Sequence, residues 1–231
     1  VTGPDPDHRD IRADRATRLA AALHSAGVRT GHRVSLVLGP GPARSATVAA
    51  CLRLGAVVVA ASPDLPDGDV AAAHAAARPD VVVGDRHGLR LVRRLRGPAL
   101  WLAADRPRLA DRFVGGALPL VDLVTRHLLV ALPPVPDPDG DAALLFVPSD
   151  RPGEGPLGVH WTRADLRALA ATQPDRTQPD GTQPDEAPPS RGARAASAPL
   201  ARDLLAAVPA GWSRSGERAA GSSPIRRPAL V

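Results

Sequence analysis

Short runs of β-branched and small apolar residues, separated by helical patterns, constrain this chain more than anything else in it. From Asp10 to Ala26 the positions Ala16, Leu19, Ala20, Leu23 and Ala26 recur at helical spacing, and Gly27 ends the pattern. Arg33 to Leu38 then reads as a strand, Gly39-Pro40-Gly41-Pro42 as a tight loop, and Ala43 to Leu54 as a helix closed by Gly55. Ala56 to Ala61 is a continuous apolar run of the kind found in strands buried on both faces. The alternation continues through a helix at Asp67–Ala77, a strand at Asp80–Val83, a short basic helix at Leu89–Leu95 and strands at Ala99–Ala103 and Ala142–Val147. Arg163 to Ala171 closes the series as a helix, while VDLVTRHLLV fits helix or strand equally. Repeated β-α-β units imply an α/β fold, a parallel sheet with helices on both faces in three layers.

Composition narrows the function classes. All 29 basic side chains are Arg, and no Lys or Tyr occurs. The sequence pI of about 11.1 therefore rests on a net charge of only +5, because no side chain except the single Cys51 titrates between His and Arg. The Arg residues are spread among Asp rather than clustered, apart from Arg90, Arg93, Arg94 and Arg96, and aromatic platforms for single strands are missing, so nucleic acid is not an expected partner. The aromatic residues are Trp101, Trp161, Trp212, Phe113 and Phe146, which leaves the core to Ala, Val and Leu. Cys51 is the single cysteine and reads as a small buried hydrophobe. The polar start VTGPDPDHRD does not read as a signal peptide, and the apolar stretch Val48–Ala61 is too short to span a bilayer. No membrane association and a cytoplasmic location are expected.

After Ala171 the character changes. TQPDR-TQPDG-TQPDE is a tandem repeat followed by APPSRGARAASAP, rich in Pro, Gly, Ser and charge. Residues 1–171 are expected to fold and 172–231 to form a low-complexity disordered tail, in which Leu200–Val208 has material for one or two helical turns.

The segment from Leu145 to Leu166 has the layout of a nucleotide-phosphate loop: strand, Gly/Pro-rich loop, second strand, helix. Ser149, Asp150, Arg151, Gly153, Gly155, Leu157, Gly158 and Thr162 are the candidate site residues. Other constellations carry less. Gly39-x-Gly41 has Arg44 where a dinucleotide fingerprint needs glycine. Asp137, Asp139 and Asp141 have calcium-loop spacing, but Pro148 stands where the bidentate Glu belongs. The His residues show no ligand spacing, so no metal is expected. Ser149 and His160 lie on opposite sides of the loop without an elbow motif, which argues against a hydrolase triad.

RLAAALHSAGVRTGHRVSLVLGPGPARSATVAACLRLGAVVVAASPDLP resembles the N-terminal subdomain of adenylate-forming enzymes, the acyl-CoA synthetases and adenylation domains. The shared signals are the Leu19-Ala20-Leu23 helix, Gly27-Val28, Gly31-x-Arg33-Val34, Leu54-Gly55-Ala56-Val57 and Pro63, with His32 where an acidic residue is usual. The family's loop motif is roughly aromatic-Thr-Ser-Gly-Thr-Thr-Gly-x-Pro-Lys-Gly-Val, then Thr-His-x-Asn-Leu. Against it, Ser149, Gly153, Pro156, Gly158, Val159, Thr162 and Leu166 match, and Asp141 fits the acidic residue ahead of the strand. Asp150, Arg151 and Pro152 replace Gly-Thr-Thr, Gly155 is inserted, and Leu157, Arg163 and Asp165 replace Lys, His and Asn.

The resemblance implies a carboxylate-activating chemistry in which the loop cradles the β/γ-phosphates of ATP through backbone amides, hydroxyls and a Lys. Here Asp150 adds a like charge, Pro152 removes an amide donor and Leu157 removes the cation. Each change costs on the order of 1–3 kcal/mol of phosphate interaction. Two readings follow: a phosphate site rebuilt on Arg151, Ser149 and the Gly153 and Gly155 amides, or a turn that has drifted after losing its task, which is the favoured one. The resemblance also implies that the family's adenine-binding segment, ribose-binding aspartate and lid with its catalytic lysine are expected to be missing from these residues. The expectation is a truncated, degenerate relative of AMP-dependent acyl ligases without autonomous activity. No cofactor is expected, with ATP and magnesium needed only if activity is retained. The alternative is a nucleotide- or acyl-binding component of a split ligase, completed by a second polypeptide carrying the missing segments. A basic interaction protein is the weaker alternative.

Overall fold

A computed structural model describes residues 6–104, 116–126, 131–134, 137, 139–149, 151, 153–171 and 189–206. The elements are α1 (Pro6–Ser25), β1 (Arg33–Val37), α2 (Pro42–Leu54), β2 (Val57–Ala61), α3 (Asp67–Ala77), β3 (Val81–Gly84) and α4 (Arg86–Leu91). They continue as β4 (Leu100–Ala103), β5 (Leu118–Pro119), α5 (Leu120–Arg126), β6 (Asp141–Val147), β7 (Leu157–Thr162), α6 (Arg163–Ala171) and α7 (Pro189–Ala206). The strands form one sheet in the order β5-β4-β3-β1-β2-β6-β7. Every pairing is parallel except the β6–β7 hairpin at one edge.

Strand periodicity sends alternate residues to opposite layers. Val34, Leu36, Val58, Ala60, Val81, Val83, Ala143 and Leu145 enter the main core with α1, α2 and α5. Val57, Val59, Leu144 and Phe146 meet Leu65, Ala73 and Ala77 on the α3 side, and Val37 and Val82 meet Val92 near α4. Runs buried on both faces need apolar residues at every position, which the Val57-Val58-Val59 and Val81-Val82-Val83 stretches supply. The α/β three-layer arrangement expected above is therefore present. Cys51 is fully buried, and that burial pushes its thiol up to about 12.

Three local details differ from the sequence reading. The short basic helix begins at Arg86 rather than Leu89, because the Asp85 carboxylate caps it by accepting from the Gly88 amide at 2.8 Å. Within VDLVTRHLLV, α5 is helical through Arg126, and residues 127–130 lie outside the described residues. The third difference corrects the tail. Residues 189–206 form α7, with Ser197, Leu200, Ala201, Leu204 and Leu205 buried against the core, so this part of 172–231 is structured. Its helicity is supplied by tertiary contact, which a reading of local composition does not contain. Residues 172–188 and 207–231 lie outside the described residues. No helix among the described residues is long and apolar enough to cross a membrane.

Candidate functional site

The hairpin β6–β7 carries the candidate loop at the carboxyl end of β6, the edge at which open α/β sheets place ligands. Its register pairs Val147 with Leu157, Phe146 with Gly158 and Leu144 with His160. Gly158 is fixed by packing: a Cβ there would lie 3.0 Å from Cε1 of Phe146. Gly153 has φ +83, a conformation glycine adopts freely, and it turns the loop back toward β7.

Inside the loop the polar groups are bound to one another. Ser149 Oγ donates to Glu154 Oε2 at 3.1 Å and accepts from the Arg151 amide at 3.2 Å. The Arg151 guanidinium bonds Glu154 Oε1 at 3.3 Å, and the Glu154 amide donates to the Arg151 carbonyl at 3.2 Å. Both oxygens of one carboxylate thus engage the hydroxyl and the cation that an anionic ligand would need. Arg151 is 80% and Glu154 52% exposed, so the pair holds with at most about 1 kcal/mol. Leu157, in the lysine position of the motif, is 46% exposed and offers no charge. A Cβ on Gly155 would meet nothing within 4 Å, and Asp150 lies outside the described residues, as does Pro152.

Thr162 does not join this group. It stands at the far end of β7, about 17 Å from the loop by strand rise, and starts α6. Its amide donates to Asp165 Oδ2 at 3.0 Å while its hydroxyl accepts from the Asp165 amide at 3.1 Å, a reciprocal cap. Burial pushes the Asp165 carboxyl upward, but the Thr162 amide and hydroxyl and the Arg194 guanidinium outweigh it and leave the group below its usual range. The structure thus brings Ser149, Arg151 and Gly153 together and leaves Thr162 as a helix cap. Glu154 is the site residue that the sequence reading missed. Its signal was an acidic residue three positions after Arg151, inside a loop whose task would be to hold anions.

Arg163, in the histidine position of the motif, is buried. Its Nη1 donates to the Asp137 carbonyl at 3.3 Å, whereas Nε and Nη2 have no hydrogen-bond partner among the described residues. Burial is the largest influence and lowers its pKa, with Arg167 adding to the effect and Asp137 and Asp141 opposing it. The Gly39–Pro42 turn is an ordinary βα connection: the Gly39 amide donates to Asp85 Oδ2 at 3.0 Å. A cavity of about 510 Å³ lies elsewhere, between α1, α2 and α5; its Arg18 is paired with Asp14. Among the described residues, no group of three His, Cys, Asp or Glu side chains is placed to hold a metal.

The family described as AMP-binding enzyme matches residues 12–122, which includes β1 to β5 and ends before the loop. Among solved structures, an anthranilate CoA ligase in complex with anthranoyl-AMP aligns with TM-score 0.59 at 18% identity, over 69% of this chain and 30% of that one. Coronafacic acid ligase from Pectobacterium brasiliense aligns with TM-score 0.59 at 17% identity, over 73% and 33%. A benzoate CoA ligase from Burkholderia xenovorans LB400 aligns with TM-score 0.54 at 22% identity, over 69% and 30%. At these identities the likeness is one of fold, and the chain spans about a third of the length of these structures. No curated protein sequence matches the chain significantly.

Proposed function

We propose that this chain is a member of the adenylate-forming superfamily, a relative of AMP-dependent acyl ligases without autonomous ligase activity. The observation that carries this reading is Glu154. Its carboxylate takes up both Ser149 Oγ and the Arg151 guanidinium, so the loop presents an internally neutralised surface rather than a cradle for polyphosphate. Glu154 competes directly with an anion for the two strongest donors described there, and Leu157 supplies nothing in return. The residues therefore fit the ATP polyphosphate and its magnesium poorly, and no catalytic step is assigned to them.

The test uses the purified chain. Isothermal titration with Mg-ATP is expected to give millimolar or weaker binding, and a carboxylate-dependent ATP–pyrophosphate exchange assay is expected to give no turnover. Micromolar binding that Arg151→Ala abolishes, or measurable exchange, would overturn the reading.

The second reading is a nucleotide- or acyl-binding component completed in trans by another polypeptide. It draws support from the family match over residues 12–122 and from the fold shared with ligase structures. An adjacent reading frame encoding an adenine-binding segment and a lid, whose product confers exchange activity when mixed with this chain, would favour it over the first.

A further inference from the structure

α7 meets the rest of the molecule through one stripe. Arg194, Ser197, Leu200, Ala201, Leu204 and Leu205 recur at three- and four-residue steps along it, and all but Arg194 are buried. The receiving surface comes from β6, β7, α6 and α2. It reads the stripe with polar as well as apolar groups. Arg194 pairs with Asp165 at the start of α6, and its guanidinium lies 4.9 Å from the centroid of the Trp161 ring. Trp161 Nε1 donates to Ser197 Oγ at 3.0 Å, and that hydroxyl donates onward to the Arg194 carbonyl at 3.0 Å. An indole face, an indole N–H and a carboxylate thus specify Arg and Ser three residues apart. The leucines beyond them fill the apolar remainder beside Leu145 and Leu166.

The helix that fits this surface is a poor helix in isolation. Pro199 sits inside it, exposed, where it removes an intrahelical bond and adds no packing, and Gly192 lies in its first turns. A helix of this length is marginal in water even with favourable residues. Contact with the groove is what makes the segment helical.

We propose that the groove bounded by β6, β7, α6 and α2 is a recognition site for an amphipathic helix of the pattern Arg-x-x-Ser-x-x-Leu-Ala-x-x-Leu-Leu. α7 is its tethered occupant and folds as it docks. The occupant reaches the groove by way of residues 172–188, so docking and release leave the order of the sheet intact. Because Trp161 and Asp165 lie where β7 passes into α6, the docked helix also secures the return arm of the loop hairpin.

Hydrogen exchange of the full chain, read by mass spectrometry, tests this. In the wild type, amides of 189–206 are expected to be protected, but to exchange through their own opening, faster than those of β1 and β2. Arg194→Ala and Ser197→Ala should each speed α7 exchange about tenfold and leave β1 and β2 unchanged. Trp161→Phe should do the same, and adding Ser197→Ala to it should cost less than Ser197→Ala does alone, since the two share the indole–hydroxyl hydrogen bond. Pro199→Ala touches no contact and should slow α7 exchange at least tenfold. The proposal is overturned if α7 exchanges at unfolded-peptide rates in the wild type. It is equally overturned if α7 and the central strands respond in step in every variant, or if Pro199→Ala changes nothing.

Discussion

Acidification should weaken this fold through one buried imidazole. His74, on α3, is 1% exposed, and its Nδ1 lies 2.5 Å from the hydroxyl of the fully buried Ser35 on β1. Burial pushes its pKa down from 6.5 to about 4, so it is neutral in the native state, hydrogen-bonded to the Ser35 hydroxyl. The unfolded chain binds that proton more readily than the native one. Stability from this site is therefore fully present above about pH 6.5 and is lost progressively as pH falls toward 4. At about 1.4 kcal/mol per pKa unit the full effect is on the order of 3 kcal/mol, and about 2–3 kcal/mol of it is spent by pH 4.5. For a domain whose total stability is about 5–15 kcal/mol, that is a large fraction.

Urea unfolding followed by Trp fluorescence at pH 7.0, 6.0, 5.0 and 4.5 measures it. Asp165 acts in a separate window. Its folded pKa is depressed, so its contribution is present above 3.8 and lost only as pH falls further. His74→Gln, which keeps a hydrogen-bonding group near Ser35, should flatten the dependence between pH 7.0 and 4.5. A wild-type loss below about 1 kcal/mol across that range, or an equally steep profile in His74→Gln, would refute the argument.

Two further substitutions test the packing. Gly88→Ala should cost at least about 3 kcal/mol in urea unfolding, because the added Cβ would stand 1.9 Å from the Val37 carbonyl oxygen and force α4 off the sheet. Gly155→Ala, with nothing within 4 Å, should change stability by less than about 0.5 kcal/mol and serves as its control. Arg163→Met should be neutral or stabilising by about 1 kcal/mol, since it removes a buried charge, two of whose nitrogens have no partner among the described residues, at the expense of one 3.3 Å hydrogen bond. A loss above about 2 kcal/mol would show that attraction to Asp137 and Asp141 outweighs the burial.

What the sequence made legible, and what it hid, divides by the reach of the interaction involved. The strands β2, β3 and β6 were readable because burial on both faces demands consecutive apolar residues, a signal contained in each four- to seven-residue run. Gly55 was readable as a helix stop because its left-handed φ of 75 is a local requirement. The loop's placement was readable as well, but its state was not. Listing Ser149 and Arg151 as donors says nothing of Glu154 folding back between them, which depends on the turn at Gly153. Ser35 and His74 meet across 39 residues of sequence, and Trp161 and Ser197 across 36, so no local pattern could have paired them. α7 is the sharpest case. Judged on its own residues, Pro199 and Gly192 argue against a helix, and that judgement is sound for the isolated segment. The helix forms because burying Leu200, Leu204 and Leu205 in the core that includes Trp161 outweighs that local cost, and the surface that receives them lies in α2, β6, β7 and α6, all earlier in the chain.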